Sequence, residues 1–100
     1  MTTPISLRSI VVASRDQVST ALADEAVILG MTDGVYYGLD PVGARIWQLV
    51  EQPIVLADVV ETLLDEYEVA RELCTADVIA LAGELAARGL LEVRGDGPAR

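Results

Sequence analysis

The residue types that usually carry out catalysis are scarce in this sequence. It contains no His and no Lys, and Cys74 is its one cysteine among seven Arg and sixteen Asp or Glu. A chain without His has no imidazole for general base catalysis or metal binding, and a chain without Lys cannot form a Schiff base. One Cys makes neither an internal disulfide nor a multi-cysteine zinc site. The composition therefore predicts a protein that is not an enzyme and that uses no metal and no other cofactor.

Cys74 and the paired carboxylates are the remaining candidates for chemistry. Cys74 has no His partner to activate it, so we interpret it as a small buried hydrophobic residue. The pairs Asp65/Glu66 and Glu61/Asp65 resemble the two carboxylates of a glycosidase, but they fall on the polar face of a predicted helix, which is typical of a solvated surface. The sequence thus favours binding over catalysis.

The N-terminal third is predicted to form a small antiparallel sheet. Residues 26–31 (AVILGM) and 35–39 (VYYGL) are prone to form strands. Asp33-Gly34 between them is a strong hairpin signal because Gly adopts positive φ readily. A third strand is predicted over residues 17–22, and the sequence leaves open whether residues 8–13 pair as well.

Three helices are predicted after the hairpin. Asp40 as N-cap and Pro41 at the first helical position begin the first, and Gln52-Pro53 ends it. It should bury Trp47 in the core. The second helix is predicted over residues 56–67, with apolar residues at helical spacing along one face.

The third helix is predicted over residues 76–88. Thr75 is its expected N-cap, and Cys74 and Ile79 occupy the two positions of a hydrophobic staple. Gly89 is the expected left-handed residue of a Schellman motif. Residues 90–94 then form a short strand or wing, and residues 95–100 a flexible tail.

These elements predict an α+β fold, a three-stranded antiparallel sheet followed by three helices, of winged helix-turn-helix type. The 100 residues form a single domain with its core over about residues 8–94. The formal net charge of -9 opposes binding to nucleic acid or to anionic membranes and favours a neutral or basic partner. The N-terminus does not resemble a signal peptide, and no apolar stretch is long enough to span a bilayer, so we expect a cytoplasmic protein.

Six segments carry a resemblance to a known family. In order along the chain they are residues 25–29 (EAVIL), 34–40 (GVYYGLD), 42–49 (VGARIWQL), 64–69 (LDEYEV), 74–78 (CTADV) and 85–91 (LAARGLL). In this order and spacing, over roughly residues 17–93, they resemble the PqqD family.

The resemblance implies a peptide recognition domain of ribosomal peptide biosynthesis. Family members bind the leader segment of a precursor peptide, which joins the third strand of their sheet as an extra strand and places side chains in a groove beside the third helix. The chain is most similar to the stand-alone members of lasso-peptide pathways. Those serve a separate leader peptidase, a cysteine protease, and the cyclase.

The residues themselves suit this role. The segment Val35–Leu39 contains no Pro and no charge that would protect an edge strand from pairing, and Gly38 leaves room for another backbone. The third helix has a wide apolar arc, and we place the groove on the edge that also carries acidic residues. The predicted peptide-binding residues are Val35, Tyr36, Tyr37, Gly38, Leu39, Cys74, Asp77, Val78, Leu81, Glu84 and Leu85.

Other interpretations of these residues remain open at this point. An apolar stripe at helical spacing is more often core than binding site, and Asp77 could simply interact with the helix dipole. Tyr36 and Tyr37 point to opposite faces of their strand, so one is expected in the core and the other near the groove. The alternative function is an acidic winged-helix protein that acts as a structural or dimerisation partner in regulation, pairing its edge strand with its own copy.

Overall fold

The structure is a computed structural model that describes residues 5–15, 17–22, 25–30, 34 and 36–96. Within these ranges the chain forms two three-stranded antiparallel sheets and three helices, which confirms the predicted α+β class. The strands are β1 (Ser9–Ala13), β2 (Gln17–Leu22), β3 (Glu25–Gly30), β4 (Tyr36–Leu39), β5 (Ile54–Val55) and β6 (Leu91–Asp96). The helices are α1 (Pro41–Leu49), α2 (Leu56–Glu66) and α3 (Arg71–Ala87).

The predicted three-stranded sheet is the meander β2-β3-β4. The β3–β4 hairpin is confirmed, with Ile28 opposite Tyr37 and Val27 opposite Gly38. Gly34 has a φ of +69°, as the turn signal requires, whereas residues 31–33 and 35 lie outside the described residues. Ile28 is fully buried, so this face of the sheet packs on the helices.

The second sheet has the order β5-β1-β6 and was not predicted. It settles the open question of the N-terminal segment, because Val11 lies opposite both Ile54 of β5 and Val93 of β6. The predicted short strand after the third helix is present and extends through residues 95 and 96. The rest of the expected tail, residues 97–100, lies outside the described residues.

Helix α1 begins as predicted. The Asp40 side chain accepts a hydrogen bond from the Gly43 backbone N–H at 2.7 Å, and Pro41 occupies the first turn, where its missing N–H costs nothing. The helix ends at Leu49, before the Gln52-Pro53 stop. Trp47 is 2% exposed and lies in the core, as predicted. Helix α2 ends at Glu66, one residue before its predicted end.

The predicted start of α3 is wrong. The helix begins at Arg71 after Ala70, which makes no side-chain capping bond, and Thr75 lies inside it. The staple assigned to Cys74 and Ile79 is therefore wrong too. Cys74 is 5% exposed, and burying it on the core outweighs a capping preference of about 1 kcal/mol.

The predicted end of α3 is confirmed. Gly89 has a φ of +76°, and the Leu90 N–H donates to the Leu85 carbonyl at 2.9 Å. The Gly89 N–H donates to the Ala86 carbonyl at 3.1 Å, which completes a Schellman motif. Leu85 and Leu90 are both buried and anchor this end in the core. Across the described ranges, every helix falls short of the length and apolar character that a bilayer crossing demands.

Candidate binding groove beside strand β4

Strand β4 lies at the edge of its sheet. Among the described residues it pairs with β3 on one side and with no strand on the other. Its side chains alternate, so that Tyr37 and Leu39 face the helices while Tyr36 and Gly38 are exposed. The free side of β4 is a row of backbone donors and acceptors that a further strand can use.

A cavity of about 650 Å³ opens beside this edge. Four elements enclose it: β4, the first turns of α1, the end of α2 with the segment after it, and α3. The lining residues are Tyr37, Gly38, Leu39, Asp40, Val42, Gly43, Ile46, Leu63, Tyr67, Glu68, Val69, Cys74, Asp77, Val78 and Leu81.

The cavity has an apolar floor and an acidic rim. Buried side chains form the floor, among them Ile46, Leu63 and Val78, which are 3% exposed or less. The lining residues that carry a charge are exposed: Asp40, Glu68 and Asp77. Among the described residues that line the cavity, none is basic. The site therefore suits an apolar group and favours a neighbouring positive charge.

Two ion pairs tie the walls of the cavity together. The Arg45 guanidinium donates from Nε and Nη2 to the two oxygens of Glu66, at 2.8 and 2.7 Å, and links α1 to the end of α2. Arg71 Nη1 donates to Glu61 Oε2 at 2.6 Å and links α3 to α2. Hydrogen bonds from the two guanidinium groups lower the pKa values of Glu66 and Glu61. Both pairs are exposed, so they orient the helices more than they stabilise the fold.

Tyr37 is held against α3 by two charged residues. The Glu84 carboxylate acts on its hydroxyl, and the Arg88 guanidinium carbon lies 5.2 Å from the centre of its ring. Burial first, and then the hydrogen bond and the charge of Glu84, raise the pKa of Tyr37. Tyr37 packs on the core and also lines the cavity, whereas Tyr36 is 71% exposed. Tyr37 therefore lies both against the core and in the groove, whereas the sequence predicted one of these places for each tyrosine.

Cys74 is a wall of the cavity. Burial, followed by the negative charge of Asp77, raises the pKa of its thiol even though the Arg71 charge acts in the opposite direction. A protonated, 5% exposed thiol behaves as a small hydrophobic group. The structure thus supports the interpretation of Cys74 as a packing residue.

Comparison with known proteins identifies the family. The family model described as "Coenzyme PQQ synthesis protein D (PqqD)" matches residues 25–91. The chain belongs to the PqqD family. A solved structure described as "TbiB1 in Complex with the TbiA(beta) Leader Peptide" is 36% identical and superposes with a TM-score of 0.78, covering 85% of this chain and 99% of that one. A search of curated proteins gave no match.

The structure of this PqqD-family chain brings most of the predicted site residues together. Those that line the cavity are Tyr37, Gly38, Leu39, Cys74, Asp77, Val78 and Leu81. Glu84 contacts Tyr37 outside the cavity, Tyr36 lies on the outer face of β4, and Leu85 is 1% exposed within the core. Val35 lies outside the described residues.

The sequence missed what α1 with its N-cap, and α2 with the segment after it, contribute to the cavity. The residues that they contribute are Asp40, Val42, Gly43, Ile46, Leu63, Tyr67, Glu68 and Val69. For Asp40 and Gly43 the capping turn already gave a sufficient structural explanation. Tyr67 and Val69 belong to one of the segments that resemble the PqqD family, and Tyr67 remains 37% exposed. A tyrosine and a valine just after a predicted helix end, within a segment that resembles the family, were the signal that could have found this wall.

Proposed function

We propose that this chain binds the leader segment of a ribosomally made precursor peptide in lasso-peptide biosynthesis, without catalysing a reaction itself. The observation that carries the proposal is the open edge of β4 beside a cavity walled by α3. It occurs in a chain that is 36% identical to TbiB1, a protein whose structure contains a leader peptide.

Backbone pairing along β4 supplies part of the affinity. In a strand of four residues, alternate residues point their N–H and C=O groups to the same side, so the free edge offers roughly four hydrogen bonds. At a net of about 1 kcal/mol each they give about 4 kcal/mol. That free energy corresponds to a Kd of about 1 mM, so strand addition alone is weak.

Apolar side chains of the leader supply the rest. An added strand turns alternate side chains toward the helices, where the cavity of about 650 Å³ has Leu81 and Tyr37 in its walls. Burying one large aliphatic or aromatic side chain contributes about 2 kcal/mol. Two such anchors and the backbone bonds together give about 8 kcal/mol, which corresponds to a micromolar Kd.

The chemistry on the precursor is assigned to partner enzymes. The chain has no His and no Lys, and burial and the nearby Asp77 charge raise the pKa of its one thiol, so the thiol is not activated as a nucleophile. By the resemblance to the lasso-peptide members, the partners are a leader peptidase and the cyclase. This chain presents the leader to them.

Hydrogen exchange measured by NMR tests the proposal. The ¹⁵N-labelled chain is titrated with the leader segment of a candidate lasso-peptide precursor and, separately, with a scrambled leader. We expect the true leader to bind at least about tenfold more tightly, a difference of about 1.4 kcal/mol. It should also slow exchange at alternate amides of β4, because only those on the free edge gain a new partner.

Two results would overturn the proposal. One is equal affinity for leader and scrambled peptide. The other is protection confined to the β5-β1-β6 sheet. Light scattering on the free chain examines the alternative, a dimer that pairs β4 with its own copy: a stable dimer without peptide affinity would favour it.

A further inference from the structure

Within the described ranges, no basic side chain lines the cavity to balance its acidic rim. Asp40, Glu68 and Asp77 line the same cavity. Exposed carboxylates are ordinary on a chain with a net charge of -9. Three of them around one apolar opening beside an unpaired strand are a more specific arrangement.

The nearby cations are already engaged elsewhere. Arg45 is paired with Glu66, and Arg71 is paired with Glu61. Arg88 Nη2 lies 3.9 Å from Glu84 Oε1. Asp40 caps α1 through its bond to Gly43.

Unlike Asp40, Glu68 and Asp77 accept no side-chain hydrogen bond from another described residue. In the described part of the chain neither of them takes part in an ion pair. Two charged groups at the mouth of the cavity therefore face it without a counter-charge from the described residues.

The charge of Asp77 reaches the interior of the cavity. After burial, which is the largest cause, the Asp77 charge raises the pKa of Cys74, a wall residue that is 5% exposed, and the Arg71 charge opposes it. The same negative potential would attract a cation placed at the mouth of the cavity. An apolar wall on one side reduces the screening by water, so the interaction is stronger than between groups in open solvent.

We propose that the peptide segment bound at β4 carries a Lys or Arg two positions from the apolar side chain that fills the cavity, and that Asp77 and Glu68 select it. The inference rests on the proposed function and specifies the chemistry of the ligand. Side chains two positions apart on an added strand share a face, about 7 Å apart. The long aliphatic stem of Lys or Arg can then follow the apolar wall while its charge reaches the rim.

A peptide selection tests this chemistry without knowledge of the natural ligand. The full chain is immobilised and used to select from a phage-displayed library of random dodecapeptides. We expect the enriched peptides to share a Lys or Arg two positions from a large apolar residue. Synthetic copies of the consensus peptide then serve as probes. One copy carries Lys at the basic position, and the other carries norleucine there, which keeps the aliphatic stem of Lys and removes its charge.

Matched variants separate the rim from the overall charge. Asp77→Asn and Glu68→Gln should each weaken binding of the Lys peptide by about two- to fivefold, the range for exposed ion pairs. Binding of the norleucine peptide should not change. The controls Asp65→Asn on α2 and Glu92→Gln on β6 remove the same charge from exposed residues that do not line the cavity, and they should leave the affinity unchanged. The effect should vanish at about 1 M salt, where the screening length is about 3 Å.

The outcomes for the two proposals are distinguishable. If enriched peptides protect the β4 amides but show no preference for Lys or Arg, or if the norleucine peptide binds as tightly as the Lys peptide, the charge selection is wrong and strand addition stands. If no enriched peptide protects β4, the proposed function fails. Circular dichroism of each variant verifies that the exposed substitutions leave the fold intact.

Discussion

A substitution at Gly38 is expected to affect the stability of the fold and the binding of the ligand in opposite directions. Gly38 lies in the middle of β4, and a Cβ built on it meets no atom within 4 Å. Its φ is not in the left-handed region, since the positive-φ glycines of the described chain are Gly34, Gly89 and Gly95. The free protein therefore gives no steric or conformational reason for a glycine here. We predict that Gly38→Val stabilises the fold and weakens peptide binding.

The magnitudes follow from the register of the hairpin. Glycine inside a strand costs about 0.5–1 kcal/mol, and a valine here would lie opposite Val27, where a cross-strand pair adds about 0.2–1 kcal/mol. A gain of about 1 kcal/mol raises the Tm by roughly 4–8 °C for a domain of this size. In the complex, a side chain of the added strand can lie over Gly38 and reach Val27. Losing that contact should cost about 1.4 kcal/mol of binding free energy, which is half or more of the free energy gained by burying one large apolar side chain. This loss raises the Kd about tenfold.

Calorimetry and fluorescence anisotropy measure the two effects on the same samples. Gly83→Ala is the matched control, because a Cβ at Gly83 also meets nothing within 4 Å and the residue does not line the cavity. It should raise the stability by about 1 kcal/mol, the helix propensity difference, and leave the affinity unchanged. A Gly38→Val chain that is more stable and binds the leader as tightly as the parent would refute the reasoning.

Three further predictions concern the groove. Leu81→Asp should abolish leader binding in a titration while the circular dichroism spectrum stays helical, because Leu81 is a half-buried residue of the cavity wall. Leu85→Ala, at a residue that is 1% exposed, should instead lower the unfolding free energy by about 2–5 kcal/mol. Burial and Glu84 raise the pKa of Tyr37 above 10.0, so the folded chain holds the phenol proton more tightly than the unfolded chain does. The resulting stability is complete below pH 10.0 and should fall in denaturant titrations as the pH rises through the folded pKa; an unchanged midpoint there would contradict it. Cys74, with its raised pKa, should react with iodoacetamide more slowly in the folded than in the unfolded chain by mass spectrometry, and a bound leader that failed to slow it further would argue against occupancy of the cavity.

Short-range signals predicted the parts of the fold that they govern. The Asp33-Gly34 turn, the Asp40 cap and the Gly89 Schellman motif each depend on a few neighbouring residues, and the elements beside them have the predicted type. The predicted start of α3 was wrong because packing beyond the neighbouring residues decides it. Thr75 is an equally good local signal, but packing of Cys74 against the core outweighs it.

Long-range pairing escaped prediction. The β5-β1-β6 sheet joins Ile10 to Val55 and Val11 to Val93, and β5 has two residues, too few to show any period. The cavity escaped in part for a related reason. Its residues on β4 and α3 were predicted through the edge-strand argument and the resemblance. Those on α1 and α2 converge on it only after the helices pack, and capping or core patterns already accounted for them.

The pairing of β1 with β6 has a practical consequence for engineering. Ser9, the first residue of β1, lies opposite Asp96, the last residue of β6, so these two strand ends lie side by side in one sheet, while β4 belongs to the other. A fluorescent reporter attached before β1 or after β6 would add no chain to β4, the strand proposed to receive the ligand. The attachment point and the proposed recognition edge then belong to different sheets, which is the arrangement that a surface-anchored sensor requires.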